Sequence, residues 1–223
     1  MRLIEQRDAL IGPIDTDAER QGVCVYGPDR RVQMCNAADP GAPLIVTLTL
    51  QAATPETTAP FGRLLAPGLA PARRSDYYGD AVVPFPGIAL TIPATLEAWP
   101  VRLHPRPLRA AYLERHPLHG QTFFSLGARP FAMILGPPDT GEALPAPDRM
   151  VALRFDGRAG FALHPGTWHE VPLALEPDTD MLLLTRAETM RDLRRKQGNE
   201  AAGADLAKRD LIARLGLVYE AVG

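Results

Sequence analysis

The chain has 223 residues, a formal net charge of -2 and 46% hydrophobic residues, enough to bury a full core as one domain with extensions or as two small ones. This balance gives no basic footprint for nucleic acid, and no run of like charge or bilayer-length apolar stretch marks a membrane partner. The 23 prolines and 19 glycines punctuate the chain too often for long helices and favour short strands joined by turns. The opening Met1–Asp8 is too polar for a signal peptide, so Cys24 and Cys35 are read as free thiols in a reducing cytoplasm.

Residues 1–43 are expected to form an N-terminal β extension. In it Val23–Tyr26 and Arg31–Met34 flank the proline turn Gly27–Arg30 as a hairpin. The β-branched run Leu44–Leu50 predicts a strand. Thr54-Pro55-Glu56 carries a helix-start signal, and Phe61–Leu65 follows as a short extended piece. The Pro- and Gly-rich stretch Ala66–Pro86, containing Tyr77 and Tyr78, reads as a long loop at the rim of a site. Strands are then predicted at Ile88–Ile92, Leu96–Leu103, Thr122–Leu126, Phe131–Leu135, Met150–Phe155, Gly160–His164, Pro172–Leu175 and Asp180–Thr185. So many short strands at this spacing argue for a mainly β jelly-roll barrel over residues 44–188. Residues 189–223 read as a helical tail, with Leu206, Leu211, Ile212, Leu215 and Val218 at helical spacing within Ala204–Val218.

All five histidines fall between His104 and His169, and most of them sit in the two stretches Leu113–Gly127 and Phe161–Leu173. Imidazole is both the commonest metal ligand and the commonest acid/base group near neutral pH. Residues i and i+2 of a strand share a face, so Glu114 and His116 can both look into the barrel, with Gln121 and His169 closing from neighbouring strands. The spacing Glu114-x-His116, four residues, Gln121, then Gly127, with Pro165-Gly166-Thr167-Trp168-His169 later, is similar to the paired motifs of cupins. A glutamate stands where cupins usually carry the first histidine, and Gln121 stands for their glutamate. The donor set Glu114, His116, Gln121 and His169 suits Ni, Mn, Fe or Zn, and serves equally as an acid/base pocket without a metal. Nothing calls for an organic cofactor.

Glu114-Arg115-His116-Pro117-Leu118, Gln121-x-Phe123 and His164-x3-Trp168-His169-x2-Pro172-Leu173 resemble the ureidoglycolate lyase family, with weaker framing from Ile45 to Glu188. The resemblance implies a cupin-like barrel, a homodimer and cleavage of ureidoglycolate to glyoxylate and urea in purine (allantoin) breakdown. It also implies nickel in some members. On that reading His116, His169 and Glu114 are the acid/base or ligand candidates. Arg186 or Arg115 would anchor the small carboxylate substrate, with Gln121, His164 and Trp168 lining its pocket. Strand alternation turns Arg115 away from Glu114 and His116 and favours Arg186 as anchor. Where the family commonly continues Trp-His-His-Pro, this chain has Glu170, and the Ala66–Pro86 loop has no counterpart. These departures leave room for another small ureido or hydroxy carboxylate. A non-catalytic, cupin-like small-acid sensor is the alternative. His119 and His104 read as turn and strand-end residues.

Overall fold

The computed structural model describes residues 25–26, 32–35, 42–69, 76–77, 80–89 and 94–223. In chain order the first elements are β1 (Val25–Tyr26), β2 (Val32–Cys35), β3 (Leu44–Ala52), α1 (Pro55–Thr58), β4 (Gly62–Leu65) and β5 (Leu96–Leu103). The middle of the chain gives β6 (Arg109–Ala110), β7 (Tyr112–Arg115), β8 (Thr122–Leu126), β9 (Phe131–Gly136), β10 (Val151–Phe155), β11 (Gly160–Leu163), β12 (Trp168–His169), β13 (Leu173–Ala174) and β14 (Thr179–Arg186). The chain continues through α2 (Ala187–Arg194), β15 (Ala201–Gly203), β16 (Leu206–Asp210), α3 (Leu211–Leu215) and β17 (Leu217–Val222). The expected hairpin is present as β1 paired antiparallel to β2. Of the predicted strand Ile88–Ile92, only Ile88 and Ala89 are described, outside any strand.

Two sheets face one another in a mainly β, cupin-like fold. The smaller runs β4-β11-β8-β14-β5. The larger runs β1-β2-β3-β10-β9-β12-β7-β16-β15 and curls so that β17 joins β3 to β6. Strand β9 is the spine of the larger sheet, buried along its whole length. Its Phe131, Met133 and Leu135 enter the core between the sheets with Phe123, Phe161 and Met181. Its Ala132 and Ile134 enter a second core in the curl, with Val46, Leu48, Trp168, Leu211 and Tyr219. A strand buried on both faces carries a continuous apolar run, and Phe-Ala-Met-Ile-Leu is such a run.

The C-terminal segment departs from the expected tail. A helix is present at Ala187–Arg194, but Ala204–Val218 is a strand, one short helix and the start of another strand. Two residues confine the helix. Asp210 caps its start by accepting the Ala213 N–H, and Gly216 ends it in the left-handed conformation at φ 65°. Either side of those caps the backbone finds better partners in the sheet: β16 pairs antiparallel with β7, and β17 pairs parallel with β3. Leu206 and Val218 are buried as the helical reading expects, and Leu211 with them, whereas Leu215 is half-buried and Ile212, also expected to be buried, is exposed.

Candidate active site

Three neighbouring strands set the site. His169 of β12 lies directly opposite Glu114 of β7, and Lys208 of β16 lies opposite the same glutamate on its other side. Residues opposite one another in an antiparallel ladder project to one face. Lys208, Glu114 and His169 therefore form a row across the sheet. His116, two residues beyond Glu114, projects from the same face. The facing sheet supplies Gln121, just before β8. Its approach depends on Gly120, where a Cβ would lie 1.9 Å from the Leu163 carbonyl oxygen. The Leu163 N–H then donates to the Gln121 carbonyl at 2.9 Å. The glycine turn of the second motif closes on the first, with the Gly166 N–H donating to His116 O at 2.8 Å.

The side-chain ends converge. Glu114 Oε1 lies 3.7 Å from His169 Nε2 and 4.0 Å from His116 Nε2. Gln121 Oε1 lies 3.0 Å from His169 Nε2. All four residues are buried.

Backbone carbonyls fix both imidazoles. His169 Nδ1 is 3.0 Å from Thr167 O, and His116 Nδ1 is 3.0 Å from Asp205 O. A carbonyl only accepts, so each Nδ1 carries the hydrogen and each Nε2 turns a lone pair toward Glu114. Burial pushes the pKa of His116 down and that of His169 down to about 4, with Glu114 opposing in both cases. Both rings are neutral at pH 7. Burial alone would raise the Glu114 carboxyl, but Lys208 and the two histidines bring it down to about 2. With the rings neutral, the Lys208 ammonium, 2.8 Å from Glu114 Oε2, is the cation that keeps it ionised.

Glu114, His116 and His169 offer ligand atoms within 4.8 Å of one another, a group that could hold a divalent ion. The residues fit one. His116 Nε2 is buried with no hydrogen-bond partner among the described residues. His169 Nε2 and Gln121 Oε1, both acceptors in this tautomer, face each other, which a shared cation or a half-turn of the amide relieves. Imidazoles whose Nδ1–H is tied to a carbonyl are also oriented as metal-ligating histidines are.

Residues beyond the expected set complete the site. Asp205 holds two histidines: its carbonyl takes the His116 Nδ1–H, and its carboxylate takes the His119 Nδ1–H at 2.6 Å and the Leu118 N–H at 2.7 Å. His119, expected as a plain turn residue, is thereby buried beside His116 with ring centroids 4.9 Å apart. Its Nε2 meets the Thr185 hydroxyl at 3.1 Å and the Arg186 N–H at 3.4 Å. Glu170 is buried with its pKa pushed up by desolvation, and Arg106 Nη2 stands 3.3 Å from it.

Other expected site residues lie elsewhere. Arg115 and Trp168 alternate with Glu114 and His169 and so face the second core, the guanidinium stacked 5.4 Å from the indole. Trp168 Nε1 is spent on Thr140. His164 follows β11 and donates to Ala59 O at 3.1 Å. It lines a separate cavity of about 460 Å³ with Thr58, Arg63 and Phe85. Arg186 lies 3.3 Å from Glu188 and 3.5 Å from Asp205, next to the histidine support and not in the row.

The family described as ureidoglycolate lyase matches residues 86–202, which include Glu114, His116, Gln121 and His169. A protein named ureidoglycolate lyase from Stutzerimonas stutzeri is 31% identical over 150 residues, covering 63% of this chain and 84% of that one. The chain belongs to the ureidoglycolate lyase family. Ureidoglycolate lyase of Azotobacter vinelandii is 36% identical over 94 residues, 42% of this chain and 55% of that protein. Ureidoglycolate lyase of Pseudomonas aeruginosa is 38% identical over 81 residues, 36% of this chain and 46% of that protein. The chain thus spans about half the length of these last two relatives. The family match stops at residue 202, short of Asp205 and Lys208.

Proposed function

We propose that this chain cleaves ureidoglycolate to glyoxylate and urea, acting as a cytoplasmic homodimer in allantoin breakdown. The observation that carries the chemistry is the pair of neutral imidazoles whose Nε2 atoms face a buried, ionised carboxylate. Ureidoglycolate is a carbinolamide, so its breakdown moves one proton from the hydroxyl to the departing urea nitrogen. A neutral imidazole accepts the hydroxyl proton as the C–N bond breaks and the carbonyl of glyoxylate forms. The imidazolium then returns that proton to the urea nitrogen, leaving the enzyme unchanged.

His169 is assigned the shuttle. Glu114 Oε1, 3.7 Å away, stabilises the positive ring while it exists. His116 is its neighbour, and the Gln121 amide, turned by half so that its NH2 donates, orients His169 Nε2. Glu114, His116 and His169 would alternatively hold a divalent cation, Ni, Mn, Fe or Zn being suited to these donors; it would stabilise negative charge on a substrate oxygen, and His169 Nε2 would then be a ligand and not the shuttle.

The test is incubation of purified protein with ureidoglycolate, following glyoxylate and urea against an enzyme-free control. Equal release of both, above the control, is expected. Absence of release with the protein folded overturns the reading.

A further inference from the structure

We propose that Lys208 receives the carboxylate of the substrate, an assignment that rests on the function proposed above. A small carboxylate needs a cation at the site, and the arginines expected to provide one are committed elsewhere. Arg115 lies on the opposite face of the sheet over Trp168. Arg186 lies off the row, its Nε paired with Glu188 and its Nη1 3.5 Å from Asp205 with no hydrogen bond among the described residues. Lys208 alone of these three stands in the row with Glu114 and His169.

Its surroundings suit the task. The ammonium makes one hydrogen bond among the described residues, to Glu114 Oε2 at 2.8 Å, so two of its three N–H groups are left to receive an anion. Its Nζ stands over the Tyr112 ring, 5.8 Å from the centroid. Exposure rises in one direction along the row. The His169 side chain is 1% exposed and that of Glu114 5%, whereas that of Lys208 is 23% exposed. A solute entering from the lysine side meets the cation first and the imidazole last.

The charges at this end also define the class of ligand. Arg106, 44% exposed, pairs with the buried Glu170, whose carboxylate interacts with Lys208 as well. Glu114 and Glu170 already offset Lys208 and Arg106, so this end offers a carboxylate the free N–H groups of Lys208 without surplus positive charge, and a ligand with a second carboxylate meets like charge. The ligand is a small monocarboxylate with its reacting carbon next to the acid group.

Lys208→Gln removes the charge and keeps a donor for Glu114, and Lys208→Met removes both. Binding of oxamate, an unreactive monocarboxylate, is measured by calorimetry for wild type and variants, alongside their melting temperatures. Oxamate should bind wild type and bind Lys208→Gln about ten- to a hundredfold more weakly, the usual worth of a hydrogen bond to a charged group. KM for ureidoglycolate should rise by a similar factor beyond any change for N-(hydroxymethyl)urea, the same carbinolamide without its carboxylate, which reads the separate cost of taking the counter-cation from Glu114. Lys208→Met carries the same expectation if the glutamine variant does not fold. Undiminished oxamate binding in a folded variant, no oxamate binding by wild type, or an equal loss on both carbinolamides overturns the assignment. Wild type that binds oxamate through Lys208 yet leaves ureidoglycolate uncleaved keeps the anchor and ends the lyase reading.

Discussion

On one face of β7 and β12 stand Glu114 and His169. On the other, a single residue along each strand, stand Arg115 and Trp168. All four are buried. On the first face the polar atoms meet one another: carboxylate, imidazoles, amide and ammonium lie within contact of a shared point. On the second, Arg115 Nε and Tyr219 Oη have no hydrogen-bond partner among the described residues, and the neighbours are Leu113, Ile134 and Leu211. Burial of a polar group therefore does not by itself mark chemistry. What distinguishes the site is that complementary groups are buried together, with backbone carbonyls fixing the proton of each imidazole.

The comparison breaks first if the two faces respond alike to truncation. His169→Ala should lower ureidoglycolate turnover by about 10²- to 10⁴-fold, the usual contribution of a positioned acid/base group. Trp168→Ala should instead cost about 3–5 kcal/mol of stability in chemical denaturation. Its turnover per folded molecule should remain near wild type.

A pH titration of stability sharpens the contrast. Burial holds His169 at a pKa of about 4, below its ordinary 6.5. Above pH 6.5 both folded and unfolded chains leave it neutral. Below that, the unfolded chain binds a proton that the folded chain refuses until about pH 4. Stability should thus fall between pH 6.5 and 4 by about 3 kcal/mol, at about 1.36 kcal/mol per pH unit. His169→Gln should lose that part of the slope, and Trp168→Phe should keep it.

Asp205→Asn should act on the polar face from behind. Its carbonyl still takes the His116 proton, but its carboxylate no longer faces His119. A cost of about 1–3 kcal/mol is expected for the disturbed buried pair. The loss in kcat should be smaller than that of His169→Ala. The smallest effect belongs to His104→Ala, at an exposed strand end, where turnover and melting should both match wild type.

Much of this was legible in the residues and some was not. The strand spacing of Glu114 and His116, and the second motif ending at His169, place three of the buried groups because local periodicity determines which side a strand residue faces. The same rule separated Arg115 from them. Asp205 and Lys208 carry no local signal, since their partners lie 89 and 94 residues away in sequence. Their segment has apolar residues at helical intervals, and only the caps at Asp210 and Gly216, with the free edges of β7 and β3, decide otherwise. His119 carries no local signal for the same reason, because its partner carboxylate arrives from that segment. His164 stood in the right motif but at a strand end whose side chain turns to Ala59.

The parallel pairing of β17 with β3 joins residue 217 to residue 44. A contact that distant in sequence is slow to form, because the intervening chain must be ordered before the ladder rewards closure. During synthesis Glu114, His116 and His169 emerge well before Lys208. Until β16 docks, the glutamate lacks its counter-cation and His116 lacks the carbonyl that fixes its ring. Partly made chains should therefore lack turnover, and its onset in a refolding experiment should report the docking of this one segment.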